Sequence, residues 1–208
     1  MISRREFGAL AGLGTALAAT TRGAGAVGMP EKAFLGEDGM YHQTWFLDSF
    51  LILTEDLAAT KEAGKRFAVV WEQKGCPYCK ETHLVNFAKH EIQSYIRQNF
   101  EVLQLDLWGA RKVTDFDGEV MEERALARKW GILFTPTFMF FDDDVAKAKE
   151  KGVRGLEVTR MPGYFKPFHF LTMFEYVKDR AYVDQHFQKY LIAKGRRMRA
   201  EGKEVKLW

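Results

Sequence analysis

Cysteine is almost missing from this chain: 208 residues contain two. They stand two residues apart, at Cys76 and Cys79, so thiol chemistry is confined to one place. Long hydrophobic runs are missing as well. No apolar stretch reaches the ~18–20 residues that a membrane-spanning helix needs. Charge of one sign is not in excess either. The formal net charge is +3, which gives no support for nucleic-acid binding. There is no internal repeat. What is present, 47% hydrophobic and 14% aromatic residues, is enough to build the core of one domain with extra segments.

Residues 1–26 read as an address. Ser3-Arg4-Arg5-Glu6-Phe7 precedes a mild Gly/Ala/Leu-rich run, Arg22 follows, and Ala24-Gly25-Ala26 fits small-x-small cleavage. Paired arginines before such a run resemble a twin-arginine export signal, so the expected location is the periplasm. An ordinary secretory signal is the alternative. Outside the cytoplasm thiols are driven to disulfides. A lone Cys-x-x-Cys there is held oxidised as an oxidant or reduced by a dedicated electron supply.

The mature chain divides into an extended leader (27–43), a main domain (44–195) and a basic tail (196–208). A helix is expected over residues 44–64, where Trp45, Phe46, Phe50, Leu51, Leu57 and Ala58 recur at helical spacing. Phe67-Ala68-Val69-Val70-Trp71 is continuous apolar, as for a strand covered on both faces. The helix after Cys79 is expected to kink or restart near His90. Residues 100–107 alternate as a strand, 108–118 read as a loop, and 119–130 as a short helix. Pro136 belongs at the start of the next strand. Asp142, Asp143 and Asp144 open a solvated connection to Gly152. Residues 156–161 form the last strand, and two helical stretches, 167–179 and 182–193, follow. This is a three-layer α/β order. The strands around the cysteine helix can pair in parallel, and the last two antiparallel.

The strand before Gly75-Cys76-Pro77-Tyr78-Cys79-Lys80 and the helical run after it put the cysteines at a helix N-terminus. Unpaired backbone N–H groups and the positive end of the helix dipole favour a thiolate there. Cys76, the helix-leading and more exposed sulfur, is the expected attacking thiolate. Cys79, one turn further in, is the expected resolving thiol. Pro77 suits the first helical turn. A zinc site using His83 and His90 would read Cys-x2-Cys-x3-His-x6-His. That spacing matches no common finger and leaves Pro136 unexplained, so no metal is expected.

With Thr135-Pro136-Thr137 opening a later strand, these motifs resemble the thioredoxin superfamily. The longer runs 71–80 and 134–142, and Met161-Pro162-Gly163-Tyr164, resemble the exported thioredoxins of bacterial sulfur-oxidation operons, the SoxW type. The resemblance implies a thioredoxin-like α/β fold, a central mixed sheet flanked by helices, with an extra N-terminal helix and a C-terminal helical extension. It also implies a cis Thr135–Pro136 bond beside the cysteines, protein disulfides as substrate, and no cofactor beyond the Cys76–Cys79 pair. Pro77, Tyr78, Thr135 and Pro136 would meet the substrate, with Thr135 offering free backbone to an extended segment.

Glu72 replaces, from a different strand position, the acid that thioredoxins usually place where this chain has Val70. Residues two apart on a strand share a face, so Glu72 is a candidate proton acceptor for Cys79. A solvent-facing carboxylate is the other reading. His83, one helical turn after Cys79, reads as a surface residue, with a place near the sulfurs as the alternative.

Two directions of electron flow compete. A periplasmic reductase would draw electrons from a membrane thiol transporter of the DsbD or CcdA kind and serve a sulfur-carrier protein or c-type cytochrome. An oxidant or isomerase would make or reshuffle disulfides. No long dimerisation segment and no large helical insertion supports the latter, so the reductase is preferred. A binding module with a merely structural disulfide is disfavoured, since so small a loop adds little stability.

Overall fold

The computed structural model describes residues 31–205. The expected export signal, residues 1–26, lies outside the described residues. In chain order the elements are β1 (Phe34–Leu35), β2 (Tyr41–His42), α1 (Leu53–Glu62), β3 (Arg66–Glu72) and α2 (Pro77–Glu81). A π-helical turn (Thr82–Asn86) continues α2. Then come α3 (His90–Asn99), β4 (Phe100–Asp106), β5 (Lys112–Thr114), β6 (Val120–Glu122), α4 (Glu123–Lys129) and β7 (Thr137–Phe141). The chain ends with α5 (Val145–Leu156), β8 (Glu157–Pro162), α6 (Pro167–Lys178), a 3-10 turn (Ala181–Val183) and α7 (Phe187–Ala200).

The central sheet has the order β4-β3-β7-β8. β3 pairs with β4 in parallel and with β7 antiparallel, and β7 pairs antiparallel with β8. Every residue of β3 is buried, as its unbroken apolar run predicts. Its alternation sorts the core into two layers. Phe67, Val69 and Trp71 join Leu103, Leu105, Met139 and Phe141 in one cluster, closed by side chains of α1, α4 and α5. Ala68 and Val70 join Val102, Phe138 and Phe140 in the other, closed by α3 and α6. This is the thioredoxin-like arrangement, a mixed sheet between two helical layers. Among the described residues, no helix is long and apolar enough to cross a membrane.

Three local expectations fail. The helix expected over 44–64 occupies only its second half, Leu53–Glu62. Leu51 has φ +61°, its N–H donates to Ser49 Oγ at 2.7 Å, and Ile52 bridges to Thr114. The aromatic spacing upstream is satisfied by tertiary packing instead: Trp45 and Phe46 meet Phe87 edge-on, and Phe50 is exposed. The connection after Asp142 is not merely solvated. Asp144 caps α5, its carboxylate accepting from the Lys147 N–H at 3.0 Å, and Ala148 and Leu156 are buried. The expected loop 108–118 and the start of the expected helix at 119 form the antiparallel pair β5–β6. The kink near His90 is present. The chain leaves helical bonding after Asn86 and re-enters at His90, and α7 continues to Ala200.

Candidate active site

β3 delivers Glu72 at its end, and Gln73, Lys74 and Gly75 turn the chain into α2. Gly75 adopts φ +73°, which costs glycine nothing. Cys76 is the N-cap of α2 and Pro77 its first helical residue, where a missing N–H leaves nothing unsatisfied. Cys76 and Cys79 are joined as a disulfide. Their exposures are 8% and 4%, so both sulfurs are largely covered and Cys76 is only slightly the more accessible.

What distinguishes Cys76 is its donors. The Cys79 backbone N–H donates to Cys76 Sγ at 3.0 Å, and the Thr135 hydroxyl donates to it at 3.4 Å. The Thr135 carbonyl oxygen lies 3.6 Å from the same sulfur. Donors aimed at a sulfur favour its anionic form once the disulfide opens. Thr135–Pro136 is cis, as the resemblance implies. The Gly163 N–H donates to the Pro136 carbonyl at 2.7 Å, tying the turn after β8 to the site. Tyr78 is exposed and stacks on Tyr164 with centroids 6.2 Å apart. The Trp108 indole, also exposed, donates to Gln73 Oε1 at 2.8 Å. Phe134 and Leu133, just before Thr135, are exposed too. Apolar surface thus flanks the disulfide.

Glu72, Cys76 and Cys79 line one cavity of about 240 Å³. Glu72 is buried, which corrects the solvent-facing reading. Its carboxylate meets His83 Nε2 at 3.0 and 3.2 Å and accepts from Gln104 Nε2. His83 is also buried, against the expectation of a surface residue. The π-turn carries it inward, edge-on to Phe46 and Phe87. His90 is exposed at the start of α3, so the two histidines do not gather around the cysteines. Among the described residues, no group of three or more His, Cys, Asp or Glu is placed to hold a metal.

A family model described as "Thioredoxin-like domain" matches residues 53–178. The chain belongs to the thioredoxin-like family. No curated protein matches it. Among solved structures, it is similar to a thioredoxin-fold protein from Helicobacter pylori, with 22% identity and TM-score 0.45, covering 67% of this chain and 92% of that one. It is similar to a thioredoxin from Thermus thermophilus, with 21% identity and TM-score 0.46, covering 61% and 83%. A structure titled "DsbH Oxidoreductase" has 12% identity and TM-score 0.38, covering 73% and 96%. Of the expected site residues, Thr135 contacts Cys76, Glu72 and Pro77 line the cavity that Cys76 and Cys79 also line, Pro136 follows Thr135 through the cis bond, and Tyr78 is exposed. Sequence reasoning missed Gln43 and Gln104, which complete the Glu72–His83 cluster. The i to i+4 step from Cys79 to His83 was the available signal for His83. Nothing local marks the two glutamines.

Proposed function

We propose that this protein is an exported, periplasmic thiol–disulfide oxidoreductase that reduces disulfides or persulfide adducts on other exported proteins. One observation carries the reading: a thioredoxin-like Cys76–Cys79 disulfide whose leading sulfur receives an N–H and an O–H donor. In the reduced protein, Cys76 thiolate attacks a substrate disulfide, forms a mixed disulfide and expels one substrate thiolate. Cys79 then passes its S–H proton to the Glu72 carboxylate and attacks Cys76 Sγ. The mixed disulfide breaks, and its electron pair leaves with the second substrate sulfur. The substrate has gained two electrons and the Cys76–Cys79 disulfide is restored. Exposed Tyr78 and Phe134 supply apolar contact for the client, and Thr135 supplies its backbone.

The dithiol is regenerated by a membrane thiol transporter of the DsbD or CcdA kind. The motifs shared with SoxW-type thioredoxins support a sulfur-carrier protein or a c-type cytochrome as client. Residues 1–26 act as a twin-arginine signal, 27–43 as leader, 44–195 as the redox domain and 196–208 as a basic tail. Insulin reduction with dithiothreitol tests the activity: turnover is expected in the wild type and lost in Cys76→Ser, and no turnover refutes it. Equilibration with glutathione or dithiothreitol gives the direction. A potential near about −270 mV fits the reductase, and one near about −120 mV assigns an oxidant instead.

A further inference from the structure

The cluster behind the disulfide has a definite hydrogen-bond polarity. An indole N–H only donates, and Trp45 Nε1 donates to Gln43 Oε1 at 3.1 Å. That contact turns the other end of the Gln43 amide, its NH2 group, toward His83. Gln43 Nε2 lies 3.2 Å from His83 Nδ1, so Nδ1 is the acceptor and carries no proton. The ring proton is then on Nε2, which faces Glu72 at 3.0 Å. Gln104 Nε2 donates to the Tyr41 carbonyl at 2.8 Å and to Glu72 Oε2. Glu72 Oε2 therefore has two donors, whereas Oε1 has one longer contact at 3.2 Å. Oε1 is the oxygen left to take a proton. All four polar side chains, Gln43, Glu72, His83 and Gln104, are more than nine-tenths buried.

We propose that His83 is a positioning residue that holds Glu72 in place as the proton acceptor for Cys79, in an Nε2–H tautomer set by the Trp45–Gln43 pair. The inference rests on the reductase reading and deepens it. A proton on Nδ1 would set that N–H against the Gln43 amide N–H, two donors facing each other between buried side chains. The other titratable and charged groups around the pair are few. Tyr41 of β2 lies with its ring 6.2 Å from that of His83. Lys80 of α2 lines the same cavity as Glu72. Asp106 of β4 is the strand-register partner of Glu72, and Arg111 donates to the Gln104 carbonyl at 3.1 Å.

The test follows the two thiolates released when the dithiothreitol-reduced protein, freed of excess reductant, meets 5,5′-dithiobis(2-nitrobenzoate). The first release reports attack by Cys76, and the second reports resolution by Cys79. His83→Phe is expected to slow the second phase about tenfold near neutral pH, less than the roughly hundredfold or more expected for loss of the proton acceptor itself, with the first phase unchanged. His83→Gln, which keeps a donor, restores part of the rate. In a Glu72→Gln background His83→Phe adds nothing. A second phase unaltered in His83→Phe overturns the proposal, as does an equal slowing in the Glu72→Gln background. Imidazole 15N shifts of the folded wild type provide a reading that needs no variant. Unprotonated Nδ1 is expected, and a proton on Nδ1 overturns the proposal. A wild type that reduces neither insulin nor the reagent sinks the reductase reading. One that reduces both while His83→Phe is silent sinks only this inference.

Discussion

Replacing Thr135 by valine removes one hydroxyl and keeps the branched shape that the position before proline favours. The lost group is the O–H that donates to Cys76 Sγ at 3.4 Å. A hydrogen bond to a charged acceptor contributes ~1.5–3 kcal/mol, and the long approach to a diffuse sulfur lowers that to about 1 kcal/mol. Only the excess of the thiolate's bond over the disulfide's matters, so this is an upper figure. With 1.36 kcal/mol per pH unit, the midpoint of Cys76 alkylation rises by about 0.7 unit. The sign for the potential follows. The hydroxyl stabilises the reduced form more than the oxidised one, so its loss makes the couple more reducing, by ~20 mV. The assay is the rate of iodoacetamide alkylation of the reduced protein against pH, with Thr135→Ser as the variant that keeps the donor. A Thr135→Val profile that superimposes on the wild type refutes the reasoning, because the sulfur would then not sense the hydroxyl.

Phe174 is buried among Phe100, Phe138, Phe140 and Phe170. Phe174→Ala should cost ~3–5 kcal/mol in denaturant unfolding, and a loss well below that would mean the aromatic layer collapses to fill the gap. Gly163 has φ +82° with open space where a Cβ would stand, so Gly163→Ala should cost ~1 kcal/mol from backbone conformation alone. An unchanged denaturation midpoint would refute that. Burial pushes the Asp143 carboxyl up, but the Arg180 hydrogen bond and the Arg66 charge outweigh it and hold it below the usual carboxylate range. The folded state thus binds this proton less readily than the unfolded chain. The stabilisation is present above the unfolded value of about 3.9 and is lost as pH falls through the lower folded value. Asp143→Asn should therefore be less stable at neutral pH and lose less stability on acidification below about pH 4, and a parallel acid loss in both proteins would remove Asp143 from the account.

The central strand was legible because a strand buried on both faces needs an unbroken apolar run, which is a local signal. Phe67, Val69 and Trp71 face one layer, Ala68 and Val70 the other, and the sequence spells both out. The sulfur pair and its proline partner were legible because their residue types are few and their spacing is short. The helix expected over 44–64 failed because Trp45 and Phe46 have helical spacing relative to Phe50 and Leu51 but pack across the fold on Phe87. Asp142, Asp143 and Asp144 read as the start of a solvated connection because three adjacent acids do not show which of them caps a helix, and Asp144 does. The buried cluster was out of reach for a different reason. Glu72, His83, Gln43 and Gln104 come from four separate segments, and only the closed fold brings their polar atoms together.

Tyr41, Gln43 and Trp45 all precede residue 53, where the match to other thioredoxin-like domains begins. The roof over the acid is thus built from chain outside the shared stretch. Transplanting only Cys-Pro-Tyr-Cys and its facing Thr-Pro into a relative would carry the sulfurs across without Glu72 or the groups packed around it. A graft intended to reproduce this protein's exchange chemistry has to include the leader, which looks from its composition like mere packaging.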